Sequence, residues 1–338
     1  MKLCTFEVMT PVGPFRRLGA AVERGGAFTW IDLNFAIAAK FVDRGASRAQ
    51  PMADALIPPE MMAFGAAGPG AMESAEEALE FALENEDAAG PRGEQLRYSE
   101  GDSRLLAPIP QPPLIRGFAG FERHLKKTFG MMGLEIPQTW YERPLAFKSG
   151  CGHMAGPEEE APWPSYTEKM DFELEFCAVI GAPGRDIPEA AAGGHILGYA
   201  ILNDWSARDA QTGEMAMGTG PYKGKDWCWS FGPWITTPDE VGDVKKIPMA
   251  ARVNGETWIE TTPGEMYWTF EQMISYTSRD ENLLSGDLLG SGTVPGGCGM
   301  EIDRWIQPGD LVEIDMGPLG VLRTPIGQKG ERRGFTYK

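Results

Sequence analysis

Short apolar runs separated by glycine, proline and aspartate recur along most of this 338-residue chain. The clearest alternation is DFELEF, in which Asp171, Glu173 and Glu175 alternate with three apolar residues. Successive side chains of a strand point to opposite faces, so this pattern predicts a strand with its acids on one face. Further strands are predicted in HILGYAILNDWS, GDLLGSGTV and DLVEIDM. The pattern as a whole indicates a mixed, β-rich α+β protein with few long helices.

Two segments have helical character. Over 72–91, Ser74 and Glu77 have the spacing of a capping box, and a Gly-Pro pair ends the apolar periodicity. A second, short helix is predicted over 188–192, where a proline precedes alanines and two glycines follow.

A cluster of prolines between residues 108 and 113 predicts a stiff connector. We therefore predict a domain boundary near residue 108. A small N-terminal α/β domain would occupy residues 1–108, and a larger domain would occupy residues 109–338.

Composition excludes several classes of function. The 48 acidic residues outnumber the 31 basic ones, for a formal charge of −17, and the basic residues do not cluster. This balance predicts that the protein binds neither nucleic acid nor an anionic membrane surface. No apolar run approaches the ~20 residues that span a bilayer, and the first residues show no secretory pattern. The five widely spaced cysteines predict reduced thiols in a cytoplasmic protein.

Three acidic residues are candidate metal ligands. Glu173 and Glu175 share one face of the predicted strand, about 7 Å apart, and could offer hard oxygen ligands to Mg²⁺, Mn²⁺ or Ca²⁺. The alternative is a solvated strand edge. Asp204 ends the apolar run GYAILN, where functional side chains are common. Its alternative role is to cap the following helix, as Ser206 could also do.

Other candidates stand alone in the sequence. Lys225 lies among glycines and aromatics, where a lysine can stabilise an anionic oxygen, but it could equally be a surface lysine. His124 is either an exposed residue of a basic helix or a general base. Thr293 offers a hydroxyl in a glycine-rich loop. The phosphate-loop, GxSxG and HExxH patterns are absent from the sequence.

Taken in order, KMDFELEFCAVIG, GYAILNDWSARDAQ, GPYKGKDWCWSFGPW and GDLLGSGTVPGG closely resemble the fumarylacetoacetate hydrolase family. The resemblance covers roughly residues 109–338 and is strongest toward the fumarylacetoacetase branch in the middle segments. It implies a β-roll of the family type for the C-terminal domain, a homodimer, and a divalent metal, Mg²⁺ or else Mn²⁺ or Ca²⁺, held by carboxylates.

The same resemblance implies roles for individual residues. Glu122 is the fallback for the carboxylate of the catalytic pair. The implied metal ligands are Glu173, Glu175 and Asp204, the implied catalytic residues are His124, Glu301 and Lys225, and the implied substrate-binding residues are Gln211 and Thr293.

The sequence departs from the fumarylacetoacetase pattern at several positions. Gly117 stands where a fourth acidic ligand is expected, so three carboxylates and water would hold the metal. Met215 stands at the place of a tyrosine, and the stretch MMGLEI lacks an expected arginine. These departures predict a pocket that differs from that of fumarylacetoacetase.

The implied activity is metal-dependent hydrolysis of a C–C bond in a 1,3-diketone or acylpyruvate, a small fumarylacetoacetate-like molecule of the kind met in the catabolism of aromatic compounds. The metal would hold the product enolate. Two alternatives stay open: a decarboxylase or keto–enol isomerase of a 2-oxo acid on the same site, and a non-catalytic metal- or ligand-binding protein.

Overall fold

The computed structural model describes residues 1–150, 152–218 and 220–331. Its strands, in chain order, are β1 (Lys2–Thr10), β2 (Gly13–Arg24), β3 (Ala27–Asp32), β4 (Arg97–Tyr98), β5 (Arg104–Leu105), β6 (Ile115–Phe118), β7 (Ala146–Ser149), β8 (Met154–Ala155), β9 (Met170–Asp171), β10 (Leu174–Ile180), β11 (Ile196–Asn203), β12 (Ser206–Ala207), β13 (Trp229–Thr236), β14 (Met249–Val253), β15 (Glu256–Thr261), β16 (Leu288–Gly290), β17 (Leu311–Asp315) and β18 (Val321–Pro325).

The helices lie mainly between these strands. They are α1 (Leu33–Asp43), α2 (Ala49–Leu56), α3 (Met61–Ala66), α4 (Pro69–Glu84), α5 (Glu122–Met131), α6 (Gln138–Glu142), α7 (Glu189–Ala192), α8 (Arg208–Ala216), α9 (Pro238–Val241), α10 (Phe270–Thr277) and α11 (Gly299–Ile302). No helix in the described ranges is both long and apolar enough to cross a membrane.

One long, mostly antiparallel sheet organises the protein. Its strand order is β4-β3-β2-β1-β13-β11-β10-β16-β6-β7, with β5 added beside β1 and β8 beside β13. A second sheet has the order β15-β14-β17-β18, and β12 pairs with β9. Strand β1 pairs with β13, with Leu3 opposite Ile235, so the hydrogen bonding of the long sheet continues across the proposed boundary at residue 108. The division into two domains at that residue stays a prediction.

Strand β10 lies at the centre of the fold and is buried on both faces. Leu174 and Phe176 pack into a core with the second sheet and α10. Cys177 and Val179 point the other way, into a core that contains the N-terminal helices α1–α4. The predicted alternation of side chains is therefore present. A strand covered on both sides cannot be a solvated edge, because its polar side chains also enter the interior.

Helix α4 begins earlier than the sequence indicates, and the capping box predicted at its start is wrong. Pro69 occupies the first turn, where its missing N–H costs nothing. Ser74 lies inside the helix and donates to the carbonyl of Gly70, while Glu77 pairs with Lys40. The predicted helix over 188–192 is confirmed as α7, with Pro188 as its N-cap.

The central strand gives a first testable prediction. Phe176 is fully buried and packs edge-to-face on Phe270, with ring centroids 5.2 Å apart. We expect Phe176→Ala to lower the free energy of unfolding by about 3–5 kcal/mol, because a cavity replaces the ring. The matched control Phe15→Ala, at a half-exposed strand position, should cost about 1 kcal/mol or less. Denaturant unfolding measures both, and equal costs would contradict the assignment of Phe176 to the core.

Candidate active site and metal centre

A cavity of about 450 Å³ is lined by residues of β6, β7, β10, α5 and α8 and by Asp204, which follows β11. Seven of the eight residues with an implied site role lie on its wall, and the eighth, Glu301, bonds to one of the seven, His124. The predicted site residues on the wall are His124, Glu173, Glu175, Asp204, Gln211, Lys225 and Thr293.

Strand pairing brings the three candidate ligands together. In the antiparallel pair of β10 and β11, Leu174 lies opposite Asn203. Glu173 and Glu175 flank Leu174, and Asp204 follows Asn203. One carboxylate oxygen from each of the three side chains lies within 4.8 Å of the others. All three are buried, so the solvated-edge alternative for the two glutamates is wrong.

Asp204 does not cap the next helix. The N-cap of α8 is Ala207, and no side chain completes a capping bond there. The carboxylate of Asp204 instead accepts from the ammonium of Lys225, at 2.7 Å from Oδ2. Its other oxygen, Oδ1, is buried and has no hydrogen-bond partner among the described residues. A buried carboxylate oxygen without a partner is costly, and a cation beside it would satisfy that oxygen.

Lys225 lies among the carboxylates and is 2% exposed, so the surface-lysine alternative is wrong. Its Nζ atom lies 2.6 Å from Oε2 of Glu173 and 2.7 Å from Oδ2 of Asp204. The ammonium thus joins the two strands that supply the acids. A buried ion pair of this kind is stable only when each charge is paired and hydrogen-bonded, as here.

A second buried cation, Arg208, was not recognised from the sequence as part of the site. Its Nη2 and Nε atoms donate to Oδ2 of Asp171, at 2.7 and 2.9 Å, and its Nη1 donates to Glu173 at 2.8 Å. The position of Arg208 at the start of α8 was a signal of this role. A cation in the first turn of a helix opposes the helix dipole, which indicates that it has an acidic partner elsewhere in the protein.

Counting charges tests whether these residues fit a divalent cation. Four buried carboxylates face two buried cations, so the fully ionised group carries a net charge of −2. One divalent ion would balance that charge with hard oxygen ligands. The carboxylates are Asp171, Glu173, Glu175 and Asp204, and the cations are Arg208 and Lys225.

The pKa directions within the group agree with this count. Burial, together with the charges of Asp204 and Glu173, raises the pKa of Glu175 well above its usual range. Burial also raises the pKa of Asp204 to about 8, with Lys225 acting in the opposite direction. Burial opposes ionisation of Glu173 too, but the charges of Lys225 and Arg208 overcome it and hold the pKa of Glu173 below its usual value. If all four carboxylates were ionised, their negative charge would therefore exceed what the two buried cations neutralise.

A histidine–carboxylate pair lies on the other side of the cavity. His124, on α5, places Nδ1 2.8 Å from Oε2 of Glu301, on α11. The histidine side chain is only 13% exposed, so its alternative as a surface residue is wrong. The same carboxylate oxygen accepts from the backbone N–H of Gly296 at 3.0 Å and from the thiol of Cys298 at 3.7 Å. These contacts hold Glu301 in a single orientation; the contribution of Cys298 was not apparent from the sequence.

Glu122, the fallback partner for His124, is engaged elsewhere. Its carboxylate accepts from the hydroxyl of Tyr141 at 2.7 Å and pairs with Lys126 at 2.8 Å. The structure therefore joins His124 to Glu301 rather than to its near neighbour on the same helix.

The two predicted substrate-binding residues also contact the acidic group. Gln211 accepts from Nη1 of Arg208 at 3.2 Å through its amide oxygen, which leaves the amide NH₂ group as its donor to the cavity. Thr293 donates from its hydroxyl to Glu175 at 3.3 Å, and the N–H of Gly292 donates to the same carboxylate at 3.2 Å.

Gly117 shows why a fourth ligand is absent at its position. It lies on β6 beside the cavity, and the ring of Phe147 covers the place of its missing side chain. A Cβ atom added at Gly117 would lie only 2.5 Å from Cζ of that ring. The ring in turn stacks on Trp229, at 6.2 Å between centroids. The space that an acidic side chain would need is therefore filled.

The cysteine prediction agrees with the structure as far as it is described. Cys4, Cys177, Cys228 and Cys298 are buried and form no disulfide. Cys151 lies outside the described residues.

Comparison with known proteins places the chain in a family. The profile described as Fumarylacetoacetate (FAA) hydrolase C-terminal matches residues 115–327. A 2,4-didehydro-3-deoxy-L-rhamnonate hydrolase from Sphingomonas sp. (strain SKA58) is 34% identical over 246 residues, which is 71% of this chain and 82% of that protein. Oxaloacetate tautomerase YisK from Bacillus subtilis (strain 168) is 28% identical over 280 residues, 80% of this chain and 87% of the relative.

Solved structures support the same fold. Maleylpyruvate hydrolase from Sphingobium sp. SYK-6, in complex with manganese (II) ion and pyruvate, superposes with a TM-score of 0.64 at 22% identity, covering 97% of this chain and 100% of that one. The predicted family fold is thereby confirmed. The proteins that resemble this chain are named as hydrolases, isomerases and tautomerases. The chain belongs to the fumarylacetoacetate hydrolase family of enzymes.

Proposed function

We propose that this protein is a divalent-metal-dependent hydrolase that cleaves a carbon–carbon bond in an acylpyruvate-type 1,3-dicarbonyl compound. One observation carries the proposal: the His124–Glu301 pair and the buried carboxylate cluster border the same cavity. Hydrolysis needs a group that removes a proton from water and a group that stabilises the negative charge of the departing carbon. The two halves of this cavity supply residue types suited to these two tasks.

Glu173, Glu175 and Asp204 would hold the metal, since their oxygens converge and one of them lacks a partner among the described residues. When bound, Mg²⁺, Mn²⁺ or Ca²⁺ supplies Lewis-acid stabilisation to the adjacent oxygens of a 1,3-dicarbonyl group. The manganese in the complex of maleylpyruvate hydrolase, a protein of the same fold, supports this choice of ions.

His124 acts as the general base. An ionised Glu301 accepts the Nδ1 hydrogen of the imidazole, so the lone pair lies on Nε2 and can take a proton from water. The carboxylate then stabilises the imidazolium that forms. Because Glu301 is nearly fully buried, this charge interaction is weakly screened.

The bonds and charges of the reaction balance as follows. The water oxygen forms a bond to the acyl carbonyl carbon while its proton moves to His124. The bond between that carbon and the neighbouring methylene breaks, and its electron pair stays on the methylene as the enolate of pyruvate. The methylene carbon then takes up a proton, which leaves a carboxylic acid and pyruvate as products. One water is consumed, and no oxidant or reductant is required.

Lys225 and Gln211 stabilise the negative charge that develops on oxygen. The ammonium of Lys225 lies at the carboxylate cluster, and the amide NH₂ of Gln211 is the donor that its contact with Arg208 leaves available. Donors that are already oriented in a site with little water contribute strongly to transition-state stabilisation. Thr293 positions Glu175 through its hydroxyl and lines the same wall.

A second candidate is keto–enol isomerisation, or decarboxylation, of a 2-oxo acid on the same carboxylate cluster. The observation that favours it is the similarity to an oxaloacetate tautomerase over 80% of this chain. Tautomerisation moves a proton between carbon and oxygen and consumes no water. Under this alternative the His124–Glu301 pair would have no water to activate.

Metal removal tests the proposal directly. We expect the protein with Mg²⁺ or Mn²⁺ to release pyruvate from acylpyruvates, and treatment with EDTA to lower that rate at least about 100-fold, because a Lewis acid contributes several kcal/mol. Re-addition of the ion should restore the rate. Pyruvate release is measured with a coupled assay, and oxaloacetate tautomerisation is measured in parallel.

Three other results would support a different function or mechanism. Turnover of oxaloacetate alone would favour the isomerase. EDTA that changes the melting temperature without any turnover being found would favour a non-catalytic binding protein. Full hydrolytic activity after complete metal removal would exclude the metal-dependent mechanism.

A further inference from the structure

The cavity has two chemically different parts. One part holds the carboxylate cluster and His124. The other part, here called the apolar wall, extends from α5 and the loop behind it and is completed by one residue of α8. The apolar wall comprises Leu125, Phe129, Met132, Ile136, Leu145 and Met215.

The direction of α5 gives the apolar wall its length. His124 lies in the first turn of this helix, and Met131 is its last residue. Seven residues at a rise of 1.5 Å put Met131 about 10 Å farther along the helix axis than His124. A substrate whose dicarbonyl group lies at His124 and the carboxylate cluster can therefore extend its remaining chain along the apolar wall.

The cavity offers no spare cation along this path. Among the described residues that line it, the only arginine and lysine are Arg208 and Lys225. Arg208 is committed to Asp171 and Glu173, and Lys225 to Glu173 and Asp204. A second carboxylate at the far end of a substrate would therefore lose water without gaining a positive partner, which is costly.

Resting on the proposed hydrolase function, we propose that the substrate is an acylpyruvate with an uncharged, apolar acyl chain, and not a dicarboxylate. The apolar wall is the binding subsite for that chain. Met132 and Met215 of this wall are 50% and 44% exposed, so their thioether groups are open to a ligand. Methionine side chains are flexible and polarisable, which lets one wall accept acyl chains of different shape.

Two substrates of equal length test the proposal. These are 2,4-dioxononanoate, which ends in a methyl group, and 2,4-dioxononanedioate, which ends in a carboxylate. With Mg²⁺ bound to the wild-type protein, we expect kcat/KM for the methyl-ended compound to be higher by about 100-fold, because only the carboxylate must be desolvated against apolar side chains. Equal values, or a preference for the dicarboxylate, would overturn the apolar subsite and leave the proposed hydrolysis intact.

A charge placed in the apolar wall tests its location. We expect Met215→Arg to lower the preference for the methyl-ended substrate about tenfold or more, because the new guanidinium pairs with the distal carboxylate. Met217→Arg is the matched control: it adds the same charge two residues away, at a side chain that is 76% exposed and outside the cavity lining. The control should keep the wild-type ratio within about twofold. Equal shifts in both variants would mean that general electrostatics, and not the wall, sets the preference.

A binding measurement separates this inference from the proposed reaction. Calorimetric titration of the Mg²⁺ protein with 2-oxononanoate and 2-oxononanedioate compares the same two chain ends without cleavage. Tighter binding of the monoacid supports the apolar subsite even if neither dioxo compound is hydrolysed. Absence of hydrolysis would overturn only the proposed hydrolase function. Equal binding of the two acids would overturn the subsite.

Discussion

Replacing Asp204 with asparagine should lower kcat/KM for acylpyruvate hydrolysis by about 10³-fold or more. The amide keeps the size of the side chain and an oxygen for Lys225, but it removes one of the negative charges that converge in the cluster. A divalent ion then meets a site with a net charge of −1 in place of −2, and both its affinity and its Lewis-acid effect on the substrate fall. Steady-state kinetics and calorimetric titration with Mn²⁺ measure the two losses separately.

Asp226→Asn is the control for that substitution. Asp226 is next to Lys225 in the chain, and its Oδ1 accepts from the hydroxyl of Ser149 at 2.7 Å, a bond that an amide oxygen can keep. We expect this variant to bind Mn²⁺ normally and to stay within about threefold of wild-type activity. An Asp204→Asn protein that folds and is fully active would remove the metal centre from the proposed mechanism.

The second large effect is expected at the histidine–carboxylate pair. Glu301→Gln should reduce hydrolysis by about 10²–10⁴-fold, since a neutral amide neither stabilises the imidazolium nor fixes the tautomer of His124. The loss should fall mainly on kcat. Affinity for Mn²⁺ should be unchanged, which distinguishes this variant from Asp204→Asn. Kinetics and calorimetry on the same preparation give both quantities.

Glu122→Gln provides the comparison at the neighbouring acid. Its carboxylate contacts Tyr141 and Lys126, and we expect its replacement to leave the rate within about threefold of wild type. If instead Glu122→Gln were inactive and Glu301→Gln active, the orientation of His124 by Glu301 would be wrong. If both variants hydrolysed acylpyruvates at the wild-type rate, general-base catalysis by His124 would lose its support.

The central part of the site was predictable because it depends on local periodicity. The alternation in DFELEF places Glu173 and Glu175 on one face, and the end of the run GYAILN places Asp204 at a strand terminus. That these two places adjoin depends on the pairing of Leu174 with Asn203, which local pattern does not specify. In the sequence, only the resemblance to a family joins the two segments.

Other features depend on contacts between distant segments and were not predictable. The bond from His124 to Glu301 spans 177 residues, and the pairing of β1 with β13 joins the N-terminal strands to the rest of the long sheet. Local sequence places Arg208 only at the start of a helix, whereas its partners Asp171 and Glu173 lie 37 and 35 residues away in the chain. The start of α4 was misplaced because its buried face consists of alanines, whose weak hydrophobic signal does not mark a helix face.

The contact between Gly117 and Phe147 limits how a fourth acidic ligand could be introduced into this site. An aspartate at Gly117 would clash with the aromatic ring unless Phe147 moved or were replaced. Shrinking Phe147 first removes a stacking partner of Trp229 and part of the cavity lining, with no ligand gained. Either single change therefore disturbs the packing here without supplying a fourth ligand, and only the double change makes room for an added carboxylate. The two positions are therefore coupled: a carboxylate at position 117 requires a smaller side chain at position 147 in the same protein.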